Sequence, residues 1–163
     1  MPQNNWNFEP INEDVLPAVH ALNQRYKDLL SSLTLEEIRT ILGRCFYRRC
    51  LEQGKAFATA MDDKAQHDGE NFNWFERKYS SFVYVERIAI DESLQRRGLA
   101  KAIYEDIEDQ TRKAGREYLC AEVNLYPPNQ GSLDFHEAMG FARVGTGKAN
   151  GKIVQYFAKL VWN

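Results

Sequence analysis

The feature that most constrains this fold is a strand, turn, helix and strand series in the second half of the chain. Residues 82–90 read FVYVERIAI, a run rich in β-branched and aromatic side chains that predicts a strand. A helix is predicted over 97–114, where apolar residues recur at every fourth position: Leu99, Ile103 and Ile107. Residues 118–124, YLCAEVN, predict a further strand. Because parallel neighbours need a long connection, this series favours a parallel βαβ crossover.

Length and charge limit the remaining possibilities. A chain of 163 residues with 44% hydrophobic content predicts one domain over 1–163. The 21 basic and 23 acidic residues give a formal charge of −2, so we expect neither nucleic acid nor a membrane surface as partner. No apolar run approaches the roughly 20 residues of a membrane span, and the start MPQNNWNFEP lacks the regions of a signal peptide. We therefore expect a cytoplasmic location.

Three cysteines, at positions 45, 50 and 120, supply neither a metal-ligand spacing nor a disulfide framework. We expect them to be reduced and mostly buried, and we predict no metal site.

Apolar patterns predict six further elements: a strand over 6–8, a helix beginning near residue 15, a helix over 34–52, a strand over 55–61, a short helix over 132–139 and a strand over 153–161. Pro17 fits the first turn of its helix, and Thr34 with Glu37 forms a capping-box pattern. Residues 44–49, RCFYRR, could form a basic nucleic-acid patch, but helical spacing favours a solvated helix face.

Residues 62–80 show no convincing periodicity and predict a long loop, which often serves as a lid or binding loop. Its aromatic residues would form an exposed apolar patch unless they cover something. They are Phe72, Trp74, Phe75 and Tyr79. These rings either contact a ligand or fill the core.

The stretch QRRGLA, residues 95–100, places a basic, glycine-containing turn before the predicted helix. Unpaired N–H groups and the positive end of the helix dipole make such a turn a phosphate-binding site. Gly98 would let the backbone approach a diphosphate without a Cβ, and Arg96 and Arg97 could add charge-assisted contacts. Neither G-x-G-x-x-G nor a P-loop is present. The alternative is a helix that simply starts after a turn.

Two motifs resemble the GNAT (GCN5-related) N-acetyltransferase superfamily. QRRGLA looks like that family's [RQ]-x-x-G-x-[GA] motif, and residues 129–141, NQGSLDFHEAMGF, are similar to its N-x-x-[SA]-x-x-F-Y-x-x-x-G-F region. The resemblance covers about residues 82–143 and is nearest to a bacterial branch of predicted acetyltransferases. It implies an α/β (α+β) fold with a mixed, mainly antiparallel central sheet, a parallel βαβ crossover at its centre and flanking helices.

The resemblance implies acetyl-CoA as acyl donor. Backbone groups of residues 88–90 would pair with its pantetheine arm like an added strand, and the turn at 95–98 with the helix start would bind its diphosphate. Asn129 matches a position that touches the cofactor, although a helix N-terminal residue is the alternative. The implied cofactor contacts are Ile88, Ala89, Ile90, Gln95, Arg96, Arg97, Gly98, Leu99, Ala100, Lys101, Asn129 and Ser132.

Acetyl transfer to nitrogen needs a neutral amine, so a general base is useful. Glu86 is the first candidate, because a glutamate inside an apolar strand is rare unless it is paired or functional. Arg87 is adjacent, so alternation along a strand predicts that it faces away and that any partner of Glu86 comes from elsewhere. Glu122 is the second candidate and shares a strand face with Asn124.

The acid that protonates the leaving thiolate is a tyrosine in most of the family, and His136 stands at the matching position here. An imidazole can donate a proton near neutrality, so His136 is a candidate acid. Its alternative is an ordinary polar residue on a short helix, and Tyr126 is a second donor candidate.

These residues predict an acetyl-CoA-dependent N-acyltransferase that acts by direct attack in a ternary complex. The acceptor would be a primary amine of a small molecule, an amino-acid-like compound or a peptide. Its predicted contacts are Phe72, Trp74, Tyr84 and Asn124. The alternative is a non-catalytic acyl-CoA-binding or ligand-sensing module on the same fold. A homodimer is one assembly that the resemblance implies, and the acceptor's identity stays open.

Overall fold

The structure is a computed structural model that describes residues 6–67, 69–149 and 151–162. The predicted domain over 1–163 and the predicted loop over 62–80 therefore each include positions outside the described residues. Among the residues described, no helix is both long and apolar enough to cross a membrane.

Six helices and seven strands follow in chain order. The helices are α1 (Leu16–Arg25), α2 (Lys27–Leu30), α3 (Leu35–Arg44), α4 (Glu70–Lys78), α5 (Leu99–Lys113) and α6 (Gln130–Ala138). The strands are β1 (Glu9–Pro10), β2 (Tyr47–Leu51), β3 (Ala56–Asp62), β4 (Phe82–Ile90), β5 (Tyr118–Tyr126), β6 (Ala142–Ala149) and β7 (Lys152–Leu160). Short 3₁₀ turns occupy Glu52–Gly54 and Glu92–Leu94. These bounds apply to the described part of the chain.

The strands form a sheet in the order β1-β2-β3-β4-β5-β7-β6. β4 and β5 are parallel, whereas β1 with β2, β2 with β3, β5 with β7 and β6 with β7 are antiparallel. The predicted fold class, a mixed and mainly antiparallel sheet with a parallel crossover and flanking helices, is confirmed.

The chain divides into two compact units, one of residues Met1–Met61 with Glu86–Ile107 and the other of Asp62–Val85 with Glu108–Asn163. In the first unit, α1 and α3 bury Val19 and Ile38 in a cluster with Phe57 of β3 and Ala89 of β4. The predicted capping box at Thr34 is present and starts α3. The proline of α1 lies in its first turn, as expected.

Aromatic packing organises the second unit. Phe72 and Phe75 of α4 are fully buried, and both rings lie 5.8 Å from that of Tyr84 on β4. Trp74 stacks on Tyr156 of β7 with ring centroids 4.3 Å apart. This helix therefore closes over a sheet face through its aromatic side chains.

The predicted helix over 34–52 is wrong beyond Arg44. Cys45 has an extended backbone, and the chain continues as β2, whose Cys50 lies opposite Phe57 of β3. Pairing with β3 overrides the helical spacing. Arg48 and Arg49 thus belong to a strand, and Arg49 forms an ion pair with an α5 aspartate.

Three smaller expectations also differ. The first strand is β1 rather than residues 6–8, and residues 70–78 form α4 where a loop was predicted. β6 was not predicted, since Gly145 and Gly147 are atypical of the interior of a strand. The space beside both glycines is filled by the rings of Trp74 and Tyr156, so glycine serves close packing there.

The cysteine prediction is confirmed for the described residues. All three thiols are free, with Cys50 and Cys120 buried and Cys45 half-buried. Burial raises the pKa of Cys45 to about 12, which makes this thiol unreactive at neutral pH.

Gly147→Ala is expected to destabilise the protein by about 1–3 kcal/mol because it overpacks this region. A Cβ there would lie 2.8 and 2.9 Å from two ring carbons of Tyr156, which is 2% exposed. Gly131→Ala is the matched control, since nothing lies within 4 Å of its Cβ. Urea unfolding measures both variants, and equal free energies of unfolding would contradict the proposed packing.

Candidate active site

The site begins where β4 ends. After Ile90 the chain makes the 3₁₀ turn Glu92–Leu94 and then a short turn in which Arg96 has φ 63° and Gly98 has φ 76°. α5 starts directly afterwards, at Leu99. The strand, turn and helix of the sequence prediction are therefore present, with two left-handed residues in the turn.

This turn has the geometry of an anion site. Residues with alternating backbone handedness gather N–H groups into a concave surface, and the first N–H groups of a helix lack intrahelical partners. The Gly98 carbonyl already accepts the Ala102 N–H at 3.1 Å, which fixes the helix start. Residues 95–98 are exposed, as is Lys101. An exposed cradle with nearby cations fits a diphosphate.

Two predicted cofactor residues use their side chains elsewhere. The Gln95 Nε2 group donates to the Ile90 carbonyl at 3.0 Å and to the Tyr26 hydroxyl at 3.1 Å. The Arg97 guanidinium lies over the Trp6 ring, 5.3 Å from its centroid. These side-chain contacts leave the backbone N–H groups as the candidate anion ligands of the turn.

The strand residues predicted to hold the pantetheine arm lie beyond the ladder between β4 and β5. That ladder runs from the Phe82–Tyr118 pair to the Tyr84–Cys120 pair. Residues 88–90 follow it, with Ala89 buried in the core cluster and Ile88 and Ile90 half-buried. Leu99 is 2% exposed, so only its backbone can reach a ligand, whereas Ala100 is half-buried.

Asn129 and Ser132 belong to the second unit. The Asn129 side chain accepts the Ser132 N–H at 3.3 Å and thereby caps α6. The alternative interpretation of Asn129 as a helix N-terminal residue matches this geometry. Their contact with a cofactor stays a prediction.

Glu86 lies in a charged network within the first unit. Its Oε1 atom is 2.9 Å from Arg87 Nε, and its Oε2 atom accepts the Thr59 hydroxyl at 2.9 Å. The expectation that adjacent Arg87 could not be its partner is wrong, because the long Arg87 side chain brings its Nε atom within ion-pair distance of the adjacent carboxylate. Both side chains are less than one tenth exposed.

Arg87 continues the network toward α1 and α2. Its Nη1 group donates to Asn23 Oδ1 at 3.0 Å and to the Leu30 carbonyl, and Asn23 Nδ2 donates to the Ser31 carbonyl at 3.0 Å. The sequence analysis missed Arg87 and Asn23. The available signal was the pair of charges inside FVYVERIAI, which requires internal partners.

Glu122 lies in the second unit beside two tyrosines. Its Oε1 atom accepts the Tyr84 hydroxyl at 2.8 Å, and Tyr156 lies directly opposite it on β7. The Tyr156 hydroxyl donates to Asn71 Oδ1 at 3.0 Å. Burial, followed by the charge of Glu122, raises the pKa of Tyr156. Asn124 is half-buried further along β5.

His136 is 5% exposed and stacks on Phe157 with ring centroids 5.3 Å apart. Its Nδ1 atom lies 2.7 Å from the Ser132 carbonyl, which can only accept, so Nδ1 carries the proton. Burial lowers the pKa of His136, more strongly than the bond to Ser132 raises it. The neutral ring therefore holds its one proton toward Ser132, which favours the interpretation as an ordinary helix residue.

Three predicted acceptor contacts differ in accessibility. Phe72 is fully buried, so the structure favours the core interpretation of its ring. Trp74 is half-buried and has Lys78 Nζ 5.4 Å from its ring centroid. Tyr84 is 5% exposed, and its hydroxyl is used by Glu122.

The mixed sheet, its parallel crossover and the exposed turn at the start of α5 define a class of α/β protein with the geometry of an anion site at a helix N-terminus. A family model described as the acetyltransferase (GNAT) family matches residues 30–141. This chain belongs to the GNAT acetyltransferase family. A comparison with curated proteins gave no match.

Solved structures show the same fold over nearly the whole chain. The ribosomal-protein-S18-alanine N-acetyltransferase of Escherichia coli matches with a TM-score of 0.71 and 18% identity, covering 97% of this chain and 95% of that one. Ard1 of Thermoplasma volcanium has a TM-score of 0.76 and 13% identity over 97% and 99% of the two chains. Arabidopsis thaliana NAA60, in complex with acetyl-CoA, has a TM-score of 0.72 and 18% identity over 96% and 99%.

The buried histidine generates a pH prediction. The unfolded chain takes up a proton near pH 6.5, whereas folded His136 takes it up only at lower pH, so stability is lost as the pH falls below 6.5. This loss approaches about 1.4 kcal/mol per pH unit at most. We expect the free energy of unfolding of the wild type to fall, relative to that of His136→Phe, as the pH is lowered from 7.5 to 5.5.

Urea unfolding at both pH values measures that shift, and NMR titration of the ring protons measures the pKa directly. A His136 midpoint at or above its ordinary value would contradict the prediction.

Proposed function

We propose that this protein transfers an acetyl group from acetyl-CoA to a primary amine by direct attack in a ternary complex. The observation that carries the proposal is the exposed turn with left-handed Arg96 and Gly98 at the start of α5, in a chain of the GNAT family. When bound, the cofactor supplies an acetyl group activated as a thioester.

The first unit supplies the groups that would hold the cofactor. Backbone N–H groups of 96–101 would bind the diphosphate, and Lys101 and Arg96 add positive charge beside it. Backbone groups of 88–90 would align the pantetheine arm as an added strand.

Glu86 is the residue we propose as general base. It lies two positions before Ile88, about 7 Å along the strand, and so stands close to the acetyl end of the proposed cofactor path. Both its oxygens are engaged, by Thr59 and Arg87, which fixes the orientation of the carboxylate. The amine proton would reach Glu86 directly or through a water molecule.

We propose that the leaving thiolate takes its proton from a group other than His136, because the ring proton of His136 is held by the Ser132 carbonyl. Tyr126, 66% exposed at the end of β5, is the remaining donor candidate from the sequence.

The acceptor we propose is an amine of a small molecule or of a peptide. One protein of similar fold is named as a ribosomal-protein-S18-alanine N-acetyltransferase, which supports including peptide amines among the acceptors. The cytoplasmic location and the homodimer stay predictions from the sequence.

Calorimetric titration with acetyl-CoA tests the cofactor site. We expect micromolar binding, about −8 kcal/mol, to the wild type and at least a tenfold loss in Gly98→Asp, because the new carboxylate would face the diphosphate. Gly115→Asp is the matched control, because Gly115 also has a left-handed backbone, φ 74°, but follows the opposite end of α5. Equal binding by both variants would place the diphosphate elsewhere.

Reciprocal carboxamide variants test the base. Glu86→Gln keeps an oxygen for Arg87 and should lower kcat by about 10²- to 10⁴-fold with the Kd for acetyl-CoA unchanged. Glu122→Gln should retain most of the rate. Release of the thiol with a panel of amines and peptides measures both variants.

If Glu122→Gln loses the rate and Glu86→Gln retains it, the general base is Glu122. Acetyl-CoA binding without turnover of any acceptor would favour the sensing module, the alternative that the missing tyrosine supports.

A further inference from the structure

The left-handed turn contains one residue whose conformation needs an external cause. Gly98 adopts a positive φ without strain, but Arg96, at φ 63°, carries a side chain that disfavours this region. A left-handed arginine persists only where its surroundings enforce the conformation. The groups that hold the turn therefore determine whether its N–H groups converge.

Gln95 is the strongest of these groups. Its Nε2 amide spans the 3₁₀ turn, since it donates to the Ile90 carbonyl before that turn and to the Tyr26 hydroxyl at the end of α1. A carboxamide has two N–H donors, and both are used. Its remaining polar atom is a carbonyl oxygen, which accepts only and cannot bond an ionised phosphate oxygen.

A second contact supports the same segment. Asp91 caps the 3₁₀ turn by accepting the Ser93 N–H at 3.0 Å and its hydroxyl at 2.6 Å, and it forms an ion pair with Arg25. The last residue of α1 and the residue that follows it, Arg25 and Tyr26, thus contact both ends of the segment that leads into Arg96.

We propose that Tyr26 and Gln95 are positioning residues that hold Arg96 in its left-handed conformation and so shape the backbone cradle for the cofactor diphosphate. This inference rests on the proposed function and deepens it. It replaces the expectation that the Gln95 side chain binds the cofactor itself. Tyr26 is a position that the sequence motif does not include.

The test uses the full chain with coenzyme A as ligand. Tyr26→Phe keeps the ring that packs against the core cluster and removes only the hydroxyl. Gln95→Met keeps the side-chain length and removes the amide. We expect Tyr26→Phe, which removes one hydrogen bond, to raise the Kd for coenzyme A about three- to tenfold, and Gln95→Met, which removes two, to raise it at least as much. The matched controls are Tyr118→Phe and Gln110→Met on β5 and α5.

A ligand-free measurement separates positioning from direct binding. A left-handed residue gives a strong intraresidue NOE between its amide proton and Hα, so we expect this NOE of Arg96 to weaken in both variants. The double variant should bind no more weakly than Gln95→Met alone, because both changes remove the same contact.

The last experiment uses Arg96→Gly as the background. Arg96→Gly removes the conformational penalty, so Gln95→Met should raise the Kd by a smaller factor in that background than in the wild type. A merely structural role for Gln95 would leave that factor unchanged.

Two failures can be told apart. If the wild type does not bind coenzyme A, the proposed function is wrong. If the wild type binds coenzyme A and both Gln95→Met and Tyr26→Phe bind it as tightly as the wild type does, the positioning proposal is overturned. Retention of the Arg96 NOE in both variants would overturn it as well.

Discussion

The parallel pairing of β4 with β5 is the constraint on which the site depends. Parallel strands cannot be joined by a hairpin, so the chain must leave the end of β4, cross the sheet as α5 and return as β5. This crossover places the N-terminus of α5 next to the carboxyl end of β4. The turn between them then combines the end of a strand, a positive helix end and left-handed residues within eleven positions, from Ile90 to Ala100.

Charge inside β4 is the second constraint. An ionised glutamate and arginine are costly to bury unless each has hydrogen-bond partners. Glu86 and Arg87 form an ion pair, Glu86 accepts a hydrogen bond from Thr59, and Arg87 donates to Asn23 and to the Leu30 carbonyl. These contacts attach α1 and α2 to β4, so the strand that we propose for cofactor alignment also orders its neighbours in the first unit.

Sequence periodicity predicted those elements in which the local apolar pattern agrees with the long-range contacts of the fold. The predicted strand over 82–90 has the same bounds as β4, and the helix over 97–114 differs from α5 by only two residues at one end and one at the other. The pattern failed where long-range contacts decide, as in β2, whose register with β3 is absent from local spacing, and in β6, whose glycines accommodate rings from α4 and β7. Backbone motifs of the candidate site were likewise predictable, whereas the contacts of Arg87 with Asn23 and of Gln95 with Tyr26 join residues over 60 positions apart.

His136 shows why a motif position does not by itself assign a role. The family resemblance places an acid there, but an acid must hold a proton that it can release toward the thiolate. A ring that is buried, stacked on Phe157 and bonded through Nδ1 to Ser132 disfavours the doubly protonated form. Its remaining proton serves the backbone of α6. In this environment the ring stabilises its own helix, which favours the interpretation of His136 as an ordinary helix residue, and its role as the acid stays a prediction from the resemblance.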